Sequence, residues 1–582
     1  VTQDLTIDQY SAYEYKPAFA ENLVGHVKSW VPDEHKRRLQ AYMLLSAYLE
    51  NSARVYLPND DDPDSRREYG DPALIVQTLV DAIVGEDTRV MVQGARAKKE
   101  PDEYADTLQD FFDKWVDDEK LLMTVMEAEE DATGLGDGVF EVAWDSTKGR
   151  ATVTCYDPGF YFPVLDPSEA REQFPDKVHF AWEYEKYEGR TRNRQRFVRR
   201  ITYELVDYGE GATFQFPWNK DPSTRTCLKS DGTWSYERLG SSNWLDLDES
   251  KATWAVNAEG EVVHNLDIGI DFIPVVHLPN TISRKEHFGR SVLQKVLQII
   301  DDIQSTDTDL LKTSRTTGSP PLGSKGPVET NEEGKVTTYG PGQVISGEVT
   351  VIDTSRNLDA LLKYITELLK RLSTNIRMPE SVLGKLRPSE VPSGIALALS
   401  FGPLRSLVRR MRLARSEKYP LLLKFVHRFT MLDDAHSDLV PSREKIDTVP
   451  AIEMAFGQFL PSDRAVIITD IGTLFREKLI SRATAIKLLI EETGMDIREA
   501  SEEVDSIQAE DFEGAGLLST ALESPEAAAE YLGREIPAMS EARKKAIEVE
   551  AAAQPAPFGG GGGGDNPPGN GQRPRSQQGA ET

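Results

Sequence analysis

The chain has 582 residues, 39% hydrophobic and 28% charged, an ordinary globular composition in a sequence too long for one core, so about three structural regions are expected. With 96 acidic and 67 basic residues the net charge is −29, which argues against a general nucleic-acid coat and suits a soluble particle component that must not stick indiscriminately to DNA. Cys155 and Cys227 offer neither a disulfide framework nor metal spacing, and no apolar run reaches about 18 residues, so an intracellular protein with no membrane span or signal peptide is expected.

Along the chain, Leu39, Met43, Leu44 and Tyr48 have helical spacing after Pro32 and Asp33. An acidic loop follows at 59–64, then an apolar helix over 74–84, a short strand from Val90 and one long helix over 105–132. After Gly134, Gly136 and Gly138 the pattern alternates, predicting strands at 139–144, 151–156, 160–164, 178–184, 196–208, 261–264 and 273–277. Helical periodicity returns over 288–311, where Val292, Val296, Ile299, Ile300 and Ile303 share a face beside Asp301, Asp302, Asp307 and Asp309. Prolines and glycines over 318–327 stop that helix, and 336–352 reads as a small β-rich insert on glycine turns. Helix resumes at Leu358, so the insert sits at the tip of a helical hairpin. Beyond Pro461 the pattern is helical, with Ser481 as a cap for 482–493 and another helix over 497–509. From Ala551 the Gly/Pro-rich composition, including a glycine run over 559–564, predicts a disordered tail.

Positive charge is concentrated in one place. Residues 356–428 carry 15 Lys/Arg against 5 Asp/Glu, a local excess of 10 inside an acidic chain. Leu358, Leu361, Leu362, Ile365, Leu368, Leu369 and Leu372 form an apolar stripe, while Lys363, Lys370 and Arg377 recur every seven residues on another. Seven residues are close to two turns, so these cations stand about 10 Å apart along the helix. Arg405, Arg409 and Arg412 form a second stripe on the next helix, beside Leu404, Leu407, Val408 and Met411, where pairing with a neighbouring subunit is the favoured reading. Between the helices, Pro379, Pro388 and Pro392 enforce a long loop carrying Lys385 and Arg387. A plain solvated face, or pairing with acids on a neighbouring chain, is the competing reading for the first stripe, and a plain surface connection for the loop.

Other signals carry less. Asp60, Asp62, Asp64 and Asp71 have the spacing of a calcium loop, but Ser65 and Arg67 occupy positions needing Gly and an apolar residue, so a solvated acidic loop is expected. The glycines at 134, 136 and 138 are too closely spaced for a dinucleotide fingerprint, and no Walker-type sequence is present. No catalytic residue, metal site or cofactor is assigned, and the chain is read as having no enzymatic activity.

Gly136-Asp-Gly-Val-Phe-Glu-Val-Ala-Trp144, Tyr156-Asp-Pro and Phe162-Pro-Val come first in a series of short strings. Phe272-Ile-Pro-Val-Val-His-Leu-Pro-Asn280, Met378-Pro379, Pro392-Ser-Gly-Ile-Ala-Leu397 and Leu479-Ile-Ser-Arg-Ala-Thr-Ala-Ile486 follow. In this order and spacing, over most of its length, the chain resembles the portal proteins of tailed bacteriophages, of the long-tailed siphovirus-like kind. The resemblance implies an α+β, predominantly helical portal fold assembled as a ring, usually of twelve copies. It implies a wing (1–285), stem helices (286–315 and 358–377) around a clip (316–357), and a tunnel loop (378–393). A long wing helix (394–450), a helical crown (451–550) and the tail (551–582) would complete the chain. The implied role is the channel at one capsid vertex for genome packaging and ejection, with Lys363, Lys370, Arg377, Lys385 and Arg387 facing double-stranded DNA. Arg405, Arg409 and Arg412 would lie between subunits. Implied partners are the terminase large subunit, the major capsid protein, a scaffold and a head–tail adaptor, in the host cytoplasm during assembly and then in the virion. The alternatives are a nucleic-acid-processing enzyme with a basic helical cleft, or another ring-forming capsid accessory protein.

Overall fold

The computed structural model describes residues 30–53, 67–85, 88–95, 102–166, 174–187, 194–209, 211–236, 247–258, 260–281, 286–318, 322–324, 349–351, 356–383, 400–457 and 464–493. The acidic loop at 59–64, most of the insert, Lys385, Arg387, the helix expected over 497–509 and the tail lie outside these residues. The chain divides into two units, residues 1–462 and 463–582.

In the first unit, α1 (Asp33–Leu49) buries Ala41, Tyr42, Leu44, Leu45 and Tyr48, with Asp33 and Glu34 in its first turn, where the helix dipole favours acids. Arg38 is buried among them. It donates to the carbonyls of Pro158 (2.7 Å) and Tyr161 and lies 4.6 Å from the Phe288 ring centroid. The next helix, α2 (Asp71–Val84), is apolar almost all round because it is covered on most sides. After β1 (Arg89–Val92) comes α3 (Glu103–Glu119), whose N-cap Asp102 accepts the Tyr104 amide at 3.2 Å. The single helix expected over 105–132 is corrected here: Lys120 adopts a left-handed conformation (φ 56°, ψ 41°) and separates α3 from α4 (Leu121–Gly134).

Two larger sheets follow. In the first, β2 (Asp137–Asp145) is the centre strand between β3 (Arg150–Tyr156) and β10 (Val275–Pro279). In the second, β4 (Tyr161–Val164), β5 (Lys177–Tyr187), β6 (Arg194–Asp207), β7 (Arg225–Ser235) and β8 (Thr253–Trp254) lie in sequence order, with β9 (Leu266–Asp267) also on β7. Far along the chain β13 (Ile452–Ala455) pairs with β1, so residues expected to open the crown complete the first unit. Every ladder among the described residues is antiparallel.

The predominantly helical portal fold expected from the resemblance is overturned by these strands. Strands β5 to β7 run 11, 14 and 11 residues, and the architecture is a mixture of helices and antiparallel sheets. The strand β7 escapes a sequence reading because Asp231-Gly232 looks like a hairpin turn. In the structure it is mid-strand: Asp231 takes a bidentate pair of bonds from Arg199 (2.9 and 2.6 Å), and the Trp234 and Trp254 rings fill the space where a Gly232 side chain would be.

Glycine also explains the 134–138 cluster. A Cβ on Gly138 would lie 2.6 Å from the Ala128 carbonyl oxygen, and one on Gly289 would collide with the Gly136 carbonyl. These glycines let α4, β2 and the 286–292 segment touch backbone to backbone. That segment is irregular, although 288–311 reads as one helix. Ser291 donates to the Gly134 carbonyl and Gly289 N–H to Asp137, both at 2.6 Å, and α5 (Leu297–Gly318) begins only afterwards.

One main core gathers α1 to α4, both larger sheets, α5, the C-terminal part of α6 (Arg356–Ile376) and α7 (Gly402–Thr430). A smaller one groups Trp30, Val31, Phe162, Ala181, Val198, Trp234 and Leu247. The strands β11 (Leu322–Ser324) and β12 (Val349–Val351) form a two-stranded ladder between α5 and α6 in the chain. In the second unit, α8 (Arg464–Arg476) and α9 (Arg482–Thr493) are described; Ser481 caps α9 by accepting the Thr484 amide at 3.2 Å.

Candidate nucleic-acid interface

The hairpin of α5 and α6 is built on the apolar stripes seen in the sequence. Val296, Leu297, Ile300 and Ile303 from one side meet the core with Leu368, Leu372 and Ile376 from the other. Burial fades toward the start of α6: Leu361 and Ile365 are half-buried, while Leu362 is 51% and Tyr364 49% exposed. Among the described residues, the fully buried positions of α6 lie in its C-terminal half.

Lys363, Lys370 and Arg377 are exposed, and none has a side-chain partner among the described residues. Their neighbour Arg371 instead lies 3.5 Å from Glu367, one turn away. At the end of α6 the Met378 amide donates to the Ser373 carbonyl (3.1 Å) and the Arg377 amide to that of Thr374 (3.2 Å). This is a Schellman closure, with Met378 folded into the core beside Leu372. Its left-handed position, which usually holds glycine, is occupied by Arg377 at φ 59°. An arginine there carries strain that the fold does not require.

Two acids of α5 and one threonine are engaged. Tyr48 donates to Asp301 at 2.6 Å, Tyr69 donates to Asp307, and Thr308 Oγ accepts the Arg67 amide at 2.9 Å. Burial, then the neighbouring Asp301, raises the Asp302 carboxyl above its usual range.

The second stripe divides. Arg405, Arg409 and Arg412 all line one groove of about 680 Å³, walled by Val408, Met454 and Phe456. Arg412 donates to the carbonyls of Ile83 (2.9 Å), Ala82 (3.1 Å) and Gly457 (2.6 Å) and lies 5.2 Å from the Phe456 ring centroid. It caps the C-terminal end of α2 and stitches β13 to it, and burial lowers its pKa. The donors of Arg412, expected at a subunit contact, are thus engaged within its own chain. Arg405 and Arg409 remain exposed, without a partner among the described residues. Lys385 and Arg387 lie outside the described residues.

Two buried polar clusters were not legible. Arg415 and Glu129, both fully buried, meet at 2.7 Å; Arg415 also donates to the Asn280 carbonyl (2.7 Å) and side-chain oxygen (3.0 Å), while Tyr419 donates to Glu129 at 2.6 Å. Asp137 accepts from His277 Nε2 (2.7 Å), Gly289 N–H (2.6 Å) and Tyr42. Burial pushes the Asp137 carboxyl up, but these donors outweigh it and hold it below the usual range. Burial also lowers the His277 pKa despite its acidic partner, so a neutral imidazole donates to an ionised carboxylate. No Ser, Thr or Cys side chain bonds to His277 among the described residues. The only sequence signal was that Asp137, His277 and Asn280 fell inside apolar strings.

Among the described residues, no group of three His, Cys, Asp or Glu is placed to hold a metal ion, and no helix is long and apolar enough to cross a membrane. No protein-family model matches the sequence, and no curated protein matches it.

Proposed function

We propose that the chain is the subunit of a ring, with the α5–α6 hairpins bordering a central channel for duplex DNA. One observation carries this reading: Lys363 and Lys370 on α6 and Arg377 just past its end are exposed, with no side-chain partner among the described residues, while the far side of that helix is anchored in the core. Copies around an axis turn these cations into three tiers of charge about 10 Å apart. Phosphate contacts carry no sequence information, and a few per subunit in an acidic chain hold a duplex weakly enough for it to slide. Lys385 and Arg387, which follow α6 in the sequence, complete the proposed set.

Such a ring serves at a capsid vertex as the route for genome packaging and ejection, docking the terminase motor first and a head–tail adaptor later, and contacting capsid protein and scaffold. The resemblance of the sequence strings to portal proteins supports this role, which does not depend on a mainly helical fold. The test is electron microscopy of the full-length protein, with duplex binding measured across a salt series. A ring with a central opening is expected. Replacing Lys363, Lys370 and Arg377 with Gln should flatten the dependence of log K on log salt by about 0.9 for every phosphate that is no longer neutralised. A particle that never closes, or a ring whose salt dependence the triple variant leaves unchanged, refutes the reading.

A further inference from the structure

Two unlike patches on the first unit complement one another. The outer face of α4 exposes Leu122, Met123 and Met126 beside Glu127 and Glu130, with Met123 71% open. The α7 groove exposes Arg405 and Arg409 around an apolar floor that includes Phe456, with Leu413 64% open at its edge. The buried Arg415–Glu129 bridge ties the two helices on their inner sides, so both patches point outward from it. Methionine and arginine are enriched where proteins meet, and opposed charge around an apolar centre sets register.

We infer that the α4 face of one copy seats in the α7 groove of the next, with Met123 against Leu413 and Phe456, and Glu127 and Glu130 against Arg405 and Arg409. This rests on the ring reading and deepens it. A contact between two different patches is head-to-tail, the arrangement that closes into a ring when the rotation allows. The crowding of carboxylates on α4 agrees: burial, then Asp157, Glu127 and Glu130, pushes the Asp131 pKa up to about 8, a negative field that two incoming guanidinium groups relieve.

Charge reversal in the full-length protein tests the inference, read by sedimentation at fixed protein concentration. Arg405→Glu/Arg409→Glu should weaken assembly at least about tenfold, as should Glu127→Arg/Glu130→Arg, and combining all four should restore most of it. Circular dichroism checks that each variant folds. As a second measurement, Met123→Cys/Leu413→Cys should give a ladder of disulfide-linked oligomers under oxidation. A wild-type ring that survives either reversal, a combination that fails to rescue, or the absence of a ladder overturns the pairing while leaving the ring reading intact. Loss of duplex binding with an intact ring on arginine reversal overturns it too, assigning the groove to nucleic acid. A wild-type protein that is monomeric at every concentration overturns both.

Discussion

Arg415→Met is the sharpest test of what holds the first unit together. The guanidinium and the Glu129 carboxylate are both fully buried, and Arg415 bonds Glu129, Asn280 and the Met411 carbonyl at 2.7–3.3 Å. Removing the arginine leaves a buried carboxylate with only the Tyr419 hydroxyl, and such losses cost about 3–5 kcal/mol. A cost of ~4 kcal/mol is about a thousandfold in the unfolding constant, readable as a shift in the urea midpoint followed by tryptophan fluorescence. Protein concentration must be held fixed, because assembly adds to apparent stability. Glu129→Leu on its own should cost a similar amount by stranding the arginine. The double variant should cost well short of the sum, though it still strips the Arg415 donors from the Asn280 oxygens and the acceptor from the Tyr419 hydroxyl, at about 1–3 kcal/mol for each buried orphan. If Arg415→Met costs below about 1 kcal/mol, no more than a surface substitution, the bridge is not what fixes α4 against α7.

Two further outcomes follow from the geometry. Arg377→Gly should raise the unfolding free energy by about 0.5–1 kcal/mol, because relief of ~1–2 kcal/mol of left-handed strain exceeds the extra backbone entropy of glycine; Arg377→Ala, which keeps the strain, should change it little, and equal urea midpoints for the two would refute the argument. Burial lowers the pKa of His35, His179, His277 and His427, the last to about 4, so between roughly pH 4 and 6.5 the unfolded chain binds protons that the folded one does not, and these groups make stability fall as pH falls. Asp131, raised from 3.8 to about 8, has the opposite sign and subtracts stability across that window, outweighed by the four histidines below ~6.5, so urea midpoints should peak near pH ~6.5, with Asp131→Asn removing the decline above the peak and steepening the rise below it.

Periodicity located the elements that repeat a simple pattern. The stripe over 358–372 is a helix, and the alternation after Gly138 is a strand. Where one residue decides, pattern failed. Lys120 breaks a helix that looks continuous, and Ser291 and Gly289 hold irregular a segment with helical spacing because their partners lie on the end of α4 and on Asp137. The weight of sheet was underestimated because Asp231-Gly232 signals a turn, and the ion pair and indole rings that keep it extended come from residues up to 32 positions away. The buried pairs Arg415–Glu129 and His277–Asp137 join positions 286 and 140 apart, and no local rule connects them.

Net charge over a stretch of sequence is likewise blind to where each side chain ends up. The excess of 10 positive charges over 356–428 suggests one strong field, yet the structure divides those cations by circumstance. Arg415 is neutralised by Glu129 in the core, and Arg412 donates to the end of α2. What stays free falls on two helices with different surroundings. On α6 the cations alternate with Thr366, Glu367 and Thr374, and the exposed apolar residues Leu362 and Tyr364 flank only the Lys363 end. On α7 they flank Leu413, Val408 and Phe456. Phosphates need only charge and reach, whereas a protein partner must also bury apolar area to hold. The same residue type in the same stretch thus divides into a set suited to a sliding polyanion and a set suited to a fixed neighbour, and the apolar residues around each set make the division.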